Sequence, residues 1–209
     1  MIKVLIFDFD GTITDSVDIK TQAFATLYKP YGKDIANKVV EYHLSHGGIS
    51  RFDKFRYFHK EFLNKELSEK KIQDLAKRFS VIVIDKVVRA PYIPGAFEFI
   101  TKNYKTFNMF ISTATPTNEI VKILQRKKLI KYFKKVYGSP ESKIKHVRNI
   151  ISKNNYLKNE LMFIGDSKSD EEAANANGIR FIKVAYEQQL IKNSYHINNF
   201  NEFEKLLKI

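Results

Sequence analysis

The sequence predicts an α/β fold in which a doubly wound parallel sheet carries an inserted, all-helical segment. Two observations predict the sheet. Short apolar runs alternate with helical patterns in the second half of the chain, as βαβ units do. The first such run, Val4 to Phe7, is apolar at every position, which is typical of a strand covered on both faces. A third observation predicts the insertion, because residues 17 to 89 show helical patterns without convincing strands.

Length and composition narrow the class of protein. The 209 residues suit one domain that carries a smaller insertion. Cysteine is absent, which excludes disulfides and thiolate metal sites, so any metal would be held by oxygen or imidazole. No apolar run approaches the ~20 residues that span a bilayer, and no basic start precedes a long apolar core. We therefore expect a soluble, cytoplasmic protein with no membrane partner.

The formal charge of +13 raises the hypothesis of a nucleic-acid partner, because clustered Lys and Arg neutralise phosphates. Here the lysines are spread along the chain, and the densest groups, at 126–128 and 131–135, fall in or beside predicted surface helices. We expect no nucleic-acid partner, and a non-catalytic nucleic-acid-binding protein is a remote alternative. The positive field would also attract small anionic molecules.

Two carboxylates and a glycine end the first apolar run, at Asp8, Asp10 and Gly11. Ligands of open α/β sheets bind beyond the carboxyl ends of the strands, so chemistry is expected at this position. A turn at Asp10-Gly11 can bring one side chain and the next-but-one backbone carbonyl around a common cation. The alternative is a solvated Asp-Gly turn.

The inserted segment is expected to be helical throughout. A first helix contains Ala23, Phe24 and Leu27 and ends near residues 30–32. Stripes at helical spacing predict core positions and no cofactor site. These stripes are Val39, Val40 and Leu44, and then Phe52, Phe55, Phe58, His59 and Phe62. The β-branched run 81–84 fits a strand by propensity and a helix by its neighbours, and periodicity leaves both open.

The remaining chain alternates strands and helices, which predicts right-handed crossovers and a parallel sheet. Strands are expected at 109–111, 135–137, 161–164, 180–185 and 195–197, with helices from 96, at 117–127, at 141–152 and from about 201.

The string Asp8-Phe9-Asp10-Gly11-Thr12 resembles the first motif, Asp-x-Asp-x-Thr, of the haloacid dehalogenase superfamily. Later motifs follow in order, so the resemblance covers nearly the whole chain. Thr113, in Ser112-Thr113-Ala114-Thr115-Pro116, resembles the hydroxyl of the second motif, although the same side chains could simply cap the next helix.

Two further motifs complete the resemblance. Lys143, after Gly138-Ser139-Pro140, resembles the basic third motif, with Lys145 as the second choice. Asp166 and Asp170 resemble the fourth motif, Gly-Asp-x-x-x-Asp. The resemblance implies that Asp166 is a direct metal ligand and that Asp170 is an outer or water-mediated partner of the metal.

The resemblance implies a Rossmann-like core formed by residues 1–14 and 91–209, with a helical cap of the class called C1 at 15–90. A cap of this class would return to the core near residue 90, which favours a helix at 81–84 and a hinge at 90–96. Phosphoglycolate phosphatases and β-phosphoglucomutases are similar in layout.

The resemblance also implies a reaction. Asp8 would attack phosphorus, Asp10 would act as acid and base, and Thr113 and Lys143 would neutralise the phosphoryl oxygens. Acidic residues converging without cysteine favour Mg²⁺, held by the aspartates of the first and fourth motifs. The metal ligands are expected to be Asp8, Asp10, Asp166 and Asp170.

We therefore expect a Mg²⁺-dependent phosphatase that acts on a small phosphorylated metabolite, with a phosphomutase as the alternative. In the cap, Gly48-Ile49-Ser50-Arg51 resembles the Gly-x-Ser-Arg segment of β-phosphoglucomutases, in which the arginine holds a second phosphate. Arg51, Lys54 and His46 are the candidate substrate-binding residues of the cap, whereas an ordinary turn with Ser50 as helix cap is equally open. The sequence predicts no oligomeric state.

Overall fold

A computed structural model describes residues 1–185 and 196–207, apart from the side chains of residues 204–206. The described strands form one parallel sheet of six strands in the order β3-β2-β1-β4-β5-β6. The predicted α/β class is confirmed. The strands are β1 (Val4–Phe7), β2 (Asn108–Pro116), β3 (Lys135–Ser139), β4 (Leu161–Gly165), β5 (Arg180–Val184) and β6 (His196–Ile197).

The strand β1 lies between β2 and β4, and its register places the ends of all three together. Phe7 is paired with Ile111 of β2 and with Ile164 of β4. The residues that follow these positions therefore meet at one edge of the sheet. All four side chains of β1 are fully buried, because Leu5 and Phe7 face one apolar cluster while Val4 and Ile6 face another.

The described helices are α1 (Val17–Tyr28), α2 (Lys33–Ser45), α3 (Arg51–Tyr57), α4 (Glu69–Arg89), α5 (Ala96–Asn103), α6 (Thr117–Arg126), α7 (Lys143–Asn154), α8 (Lys168–Asn177) and α9 (Phe200–Leu207). They cover both faces of the sheet, and five of them, α1 to α5, lie between β1 and β2. In the segment formed by the first four, α1 packs on α2 and α4, and α3 packs on α4. The division of the chain into a core and a cap at 14/15 and 90/91 stays a prediction.

Three local expectations can be compared with the structure. The run 81–84 is helical, inside α4, because Val83 and Val87 continue the buried stripe of Phe79. The apolar stripe predicted for α2 is wrong at Leu44. Val39 and His43 are the buried residues of this helix, whereas Leu44 is 59% exposed. The aromatic stripe is core as expected, although it leaves α3 through a π-helical turn at Phe58–Phe62.

The predicted strands are present, but several of their ends differ from the predicted ones. The strand expected at 109–111 runs on to Pro116, because β2 continues beside β3 past a register shift between Ser112 and Pro116. The start expected at residue 195 lies outside the described residues, and β6 begins at His196. No described helix is both long and apolar enough to cross a membrane.

Candidate active site

Three carboxylates meet at the edge where β1 and β4 end. Asp8 follows β1, Asp166 follows β4, and Asp170 lies in the first turn of α8. One carboxylate oxygen from each lies within 4.8 Å of the others. The close approach requires Gly11, because it has φ +76° and a Cβ there would lie 2.5 Å from Asp166 Oδ2. The sequence motifs at these two strand ends are thus one site in space.

Lys143, the first residue of α7, ties two of these carboxylates together. Its Nζ donates to Asp8 Oδ2 at 2.8 Å and to Asp170 Oδ1 at 2.6 Å, and all three side chains are nearly fully buried. The second choice, Lys145, lies outside the site and pairs with Glu141 at the surface. The structure therefore brings Lys143, and not Lys145, to the carboxylates.

Both oxygens of Asp8 and of Asp170 are held in place by donors. Asp8 Oδ1 accepts from the backbone N–H of Phe9 at 2.7 Å. Asp170 Oδ2 accepts from the N–H and the hydroxyl of Ser167, at 3.1 and 2.5 Å. Asp170 is fully buried and saturated by these partners, as expected of a residue that positions others.

The carboxylate of Asp10 points away from this cluster. It accepts from Ser16 Oγ at 2.7 Å, from Thr115 Oγ1 at 3.1 Å and from Lys20 Nζ. Lys20 also donates to Thr115 Oγ1 at 2.7 Å. Asp10 as a metal ligand stays a prediction.

The hydroxyl residues at the end of β2 have separate partners. Thr113 Oγ1 accepts from the N–H of Thr115 at 3.2 Å and lines the same cavity as Asp8. Ser112 Oγ lies against His146 Nδ1 at 3.0 Å. The alternative that these hydroxyls cap α6 is wrong, because the N-cap is Pro116 and no side chain caps that helix.

The acidic cluster has the electrostatics of a cation site. Burial, with the charges of Asp170 and Asp10, raises the pKa of Asp8 to about 6 despite Lys143. Burial, with Asp8 and Asp170, raises the pKa of Asp166 well above its usual value. When all three carboxylates are ionised, the single buried ammonium leaves negative charge uncompensated, which a hard divalent cation with oxygen ligands would neutralise. The residues present therefore fit Mg²⁺.

The cap side of the cavity carries cations, and Arg51 is already paired. Its Nη1 and Nη2 donate to the two oxygens of Glu119 in α6 at 2.9 and 2.5 Å, and Nη1 also donates to Ser80 Oγ at 2.9 Å. Arg51 and Glu119 are each 5% exposed. Ser50 caps α3 by accepting from the N–H of Asp53, so the alternative of a turn with a helix cap describes this segment.

Lys54, one turn further along α3, has no such partner. Its Nζ lies 2.6 Å from His43 Nδ1 and 5.8 Å from the ring centre of Phe24. Lys54 is 1% exposed, and none of the described carboxylates forms an ion pair with it. His46, the third cap candidate, is exposed at the rim, where its ring stacks on Tyr42 at 3.9 Å.

These side chains line one cavity of about 540 Å³ between the sheet edge and helices α1 to α4. The loop before α3 closes one side of it. Gly48 has φ +75°, and a Cβ there would overlap the side chain of Ser169 at the start of α8, while a Cβ on Gly47 would lie 3.2 Å from Ser167 Cβ. The volume suits a small metabolite, and the two glycines set how closely this loop approaches the core.

Sequence reasoning missed several polar residues of this cavity. Lys20 falls on the apolar face of α1, four residues before Phe24, and His43 falls four residues after Val39 on α2. Glu119, which lies in the first turn of α6 outside the cavity lining and pairs with Arg51, was also missed. A sequence pattern could have identified Lys20 and His43. Each is a charged or polar residue within an apolar stripe, where a buried side chain needs a hydrogen-bonding or charged partner.

Comparison with known proteins agrees with this geometry. The family model described as haloacid dehalogenase-like hydrolase matches residues 5–184. A phosphorylated carbohydrates phosphatase from Thermotoga maritima is 25% identical over 191 residues, covering 86% of this chain and 83% of that protein. A phosphoglycolate phosphatase from Pseudomonas savastanoi is 23% identical over 207 residues, covering 88% and 70%.

Among solved structures, a β-phosphoglucomutase from Clostridium difficile superposes with a TM-score of 0.80. It is 22% identical, and the alignment covers 100% of this chain and 96% of that one. At that identity the likeness supports the Rossmann-like fold, which the sheet order also shows.

Proposed function

Since the chain belongs to the haloacid dehalogenase-like hydrolase family, we propose that it is a Mg²⁺-dependent phosphatase of small phosphorylated metabolites. One observation supports this most strongly. The buried carboxylate of Asp8 stands at a strand end with Lys143 on one oxygen, beside Asp166 and across the turn from Asp10. The relatives named for phosphatase activity support the same substrate class.

In the proposed reaction an oxygen of Asp8 attacks phosphorus in line, and the bond from phosphorus to the ester oxygen breaks. Asp10 gives a proton to the leaving alkoxide. The anionic ester beside Asp10 favours its protonated form, against the effect of Lys20. Asp10 then takes a proton from water, which attacks the phosphoryl group, releases inorganic phosphate and restores Asp8.

The other residues hold these groups in position. Lys143 orients Asp8 and places positive charge where the phosphoryl oxygens would lie, while Asp170 fixes Lys143. Thr113 offers a hydroxyl to the same oxygens. Asp8 and Asp166, with the backbone of Asp10, would hold Mg²⁺, and the bound ion would neutralise phosphoryl charge.

The test is release of inorganic phosphate from a panel of phosphorylated sugars and acids, with Mg²⁺ and with EDTA. Mg²⁺-dependent release, together with a phosphoryl label on Asp8 that hydroxylamine removes, would support the proposal. Conversion of a substrate into its phosphate isomer, dependent on a bisphosphate and with little phosphate released, would establish the phosphomutase instead. Absence of both activities would refute both.

A further inference from the structure

The two cap cations of α3 are both buried and differ in their counter-charge. Arg51 has a bidentate carboxylate partner in Glu119. Lys54 has only the imidazole of His43, the carbonyl of His43 at 3.4 Å, and the face of Phe24. A buried ammonium without a carboxylate is costly, so the ammonium is expected to have a function that offsets this cost.

The imidazole of His43 fixes the position of the Lys54 ammonium. Burial, with the charge of Lys54, lowers the pKa of His43 to about 3, so the ring is neutral. Because Nδ1 faces the ammonium of Lys54 at 2.6 Å, Nδ1 accepts and Nε2 carries the hydrogen. His43 Nε2 is buried and has no hydrogen-bond partner, and the residue is 9% exposed. Lys54 thus lines the cavity with acceptors in His43 but with no counter-charge among the described residues.

We propose that Lys54, held in place by His43, binds a second anionic group of the substrate, a carboxylate or a phosphate that is not transferred. The inference rests on the proposed phosphatase function and specifies its substrates as phosphate esters that carry another oxyanion. An oxyanion would accept from Lys54 Nζ and balance its charge, whereas a neutral hydroxyl would leave the ammonium uncompensated. Arg51 is the less suitable ligand, because Glu119 already balances its charge.

The second anion is expected to lie close to the transferred phosphoryl group. Lys54 lines the same cavity of about 540 Å³ as Asp8, Asp10 and Lys20. Burial, with the charges of Lys20 and Lys143, lowers the pKa of Lys54, which agrees with a short separation from the reacting groups. A short carbon chain between the two anions therefore fits best.

The experiment uses substrates that share a carbon skeleton and differ in one group. Ethyl phosphate, phosphoglycolate and ethane-1,2-diol bisphosphate carry no second anion, a carboxylate and a phosphate, respectively. Propyl phosphate, 3-phosphopropionate and propane-1,3-diol bisphosphate repeat the set with one more carbon. We expect kcat/KM to favour an ester with a second anionic group over the counterpart without one by about 10- to 100-fold. Comparison of the carboxylate ester with the bisphosphate then identifies which anion is preferred.

In Lys54→Met the ratio of kcat/KM between the esters with and without a second anion should fall to within about 3-fold. Lys77→Met, an exposed lysine of α4, is the matched control and should keep the full preference. His43→Phe should lose part of the preference. Absence of a preference in the wild-type protein, or a preference that Lys54→Met leaves intact, would overturn the proposal.

A binding measurement separates this inference from the proposed function. Calorimetric titration of phosphoglycolate and ethyl phosphate into Asp8→Asn, with and without Lys54→Met, reports the subsite without turnover. If no ester is hydrolysed by the wild-type protein but phosphoglycolate binds in a Lys54-dependent way, the phosphatase function fails and the anion subsite stands. If hydrolysis occurs and Lys54→Met leaves both affinities unchanged, the subsite fails and the phosphatase function stands.

Discussion

The core side and the cap side of the cavity differ in how their charges are balanced. On the core side, Asp8 and Asp170 share the ammonium of Lys143, and the excess of carboxylates calls for a cation. On the cap side, Arg51 is neutralised by Glu119, whereas Lys54 has no carboxylate partner among the described residues. Under the proposed function, the core side would hold a metal and a phosphoryl group, and the cap side would recognise the group to which the phosphoryl is attached.

The largest expected effect lies on the core side. Asp8→Asn keeps the shape of the side chain but removes the nucleophile, so phosphate release should fall by roughly 10⁴-fold or more. The thermal midpoint should change little, and Asp34→Asn, an exposed residue of α2, should be fully active. Substantial Mg²⁺-dependent hydrolysis by Asp8→Asn would remove this residue from its proposed role.

On the cap side, Arg51→Ala should destabilise the fold by about 3–5 kcal/mol, because it leaves Glu119 buried and unpaired. Arg56→Ala is the control on the same helix. Its partner Glu69 is exposed, so that pair should contribute less than about 1 kcal/mol. Urea unfolding measures both, and similar losses for the two variants would show that burial of the Arg51 pair carries no special cost.

If Asp166 holds the metal, Asp166→Asn should raise the Mg²⁺ concentration for half-maximal activity by about 10- to 100-fold or more. Saturating Mg²⁺ should restore part of the rate, since the nucleophile is intact. Glu171→Gln, in the exposed first turn of α8, should not change the Mg²⁺ dependence. An unchanged Mg²⁺ dependence in Asp166→Asn would assign the metal to other ligands.

The smallest expected effect is on stability. Lys54→Met should stabilise the protein, whereas Arg51→Ala should destabilise it. Burial, with Lys20 and Lys143, lowers the pKa of Lys54 to about 7 in the folded protein, below its usual value near 10.5. Between these two values the unfolded chain binds more protons, so this lysine makes stability rise with pH. His43 is neutral there and does not contribute.

Lys54→Met should therefore raise the unfolding midpoint at pH 6, where the buried ammonium is charged, by a few degrees. The gain over wild type should shrink as the pH rises above 7. Thermal unfolding at pH 6, 7.5 and 9 measures this. A lower midpoint for Lys54→Met at every pH would mean that Lys54 supports the fold in the way that Arg51 does.

The two sides also differ in how far the sequence predicted them. Asp8 and Asp166 could be found because each directly follows an apolar strand, and parallel strand ends meet at one edge whatever the side-chain packing. Choosing Lys143 over Lys145 depended on the flanking turn and agrees with where the structure places the two side chains.

The partners on the cap side could not be predicted in the same way. Which residues meet across α1, α2 and α3 depends on the rotation and crossing of those helices, which local patterns do not specify. The stripe expected on α2 was therefore displaced by one residue, from Leu44 to His43, and the contact of Lys20 with Asp10 was missed. A polar residue within an apolar stripe is the sequence pattern that would have indicated these contacts.

The approach of Gly48 to the first turn of α8 has a mechanical consequence. There is no room for a methyl group between this loop and α8, so Gly48→Ala would push the loop away from α8 and open a gap at this side of the cavity. In the proposed reaction such a gap would admit water to the phosphorylated Asp8. The intermediate would then be hydrolysed faster, while the rate of its formation would be unchanged. A residue with no functional group would then regulate whether a captured phosphoryl group is lost to water or retained.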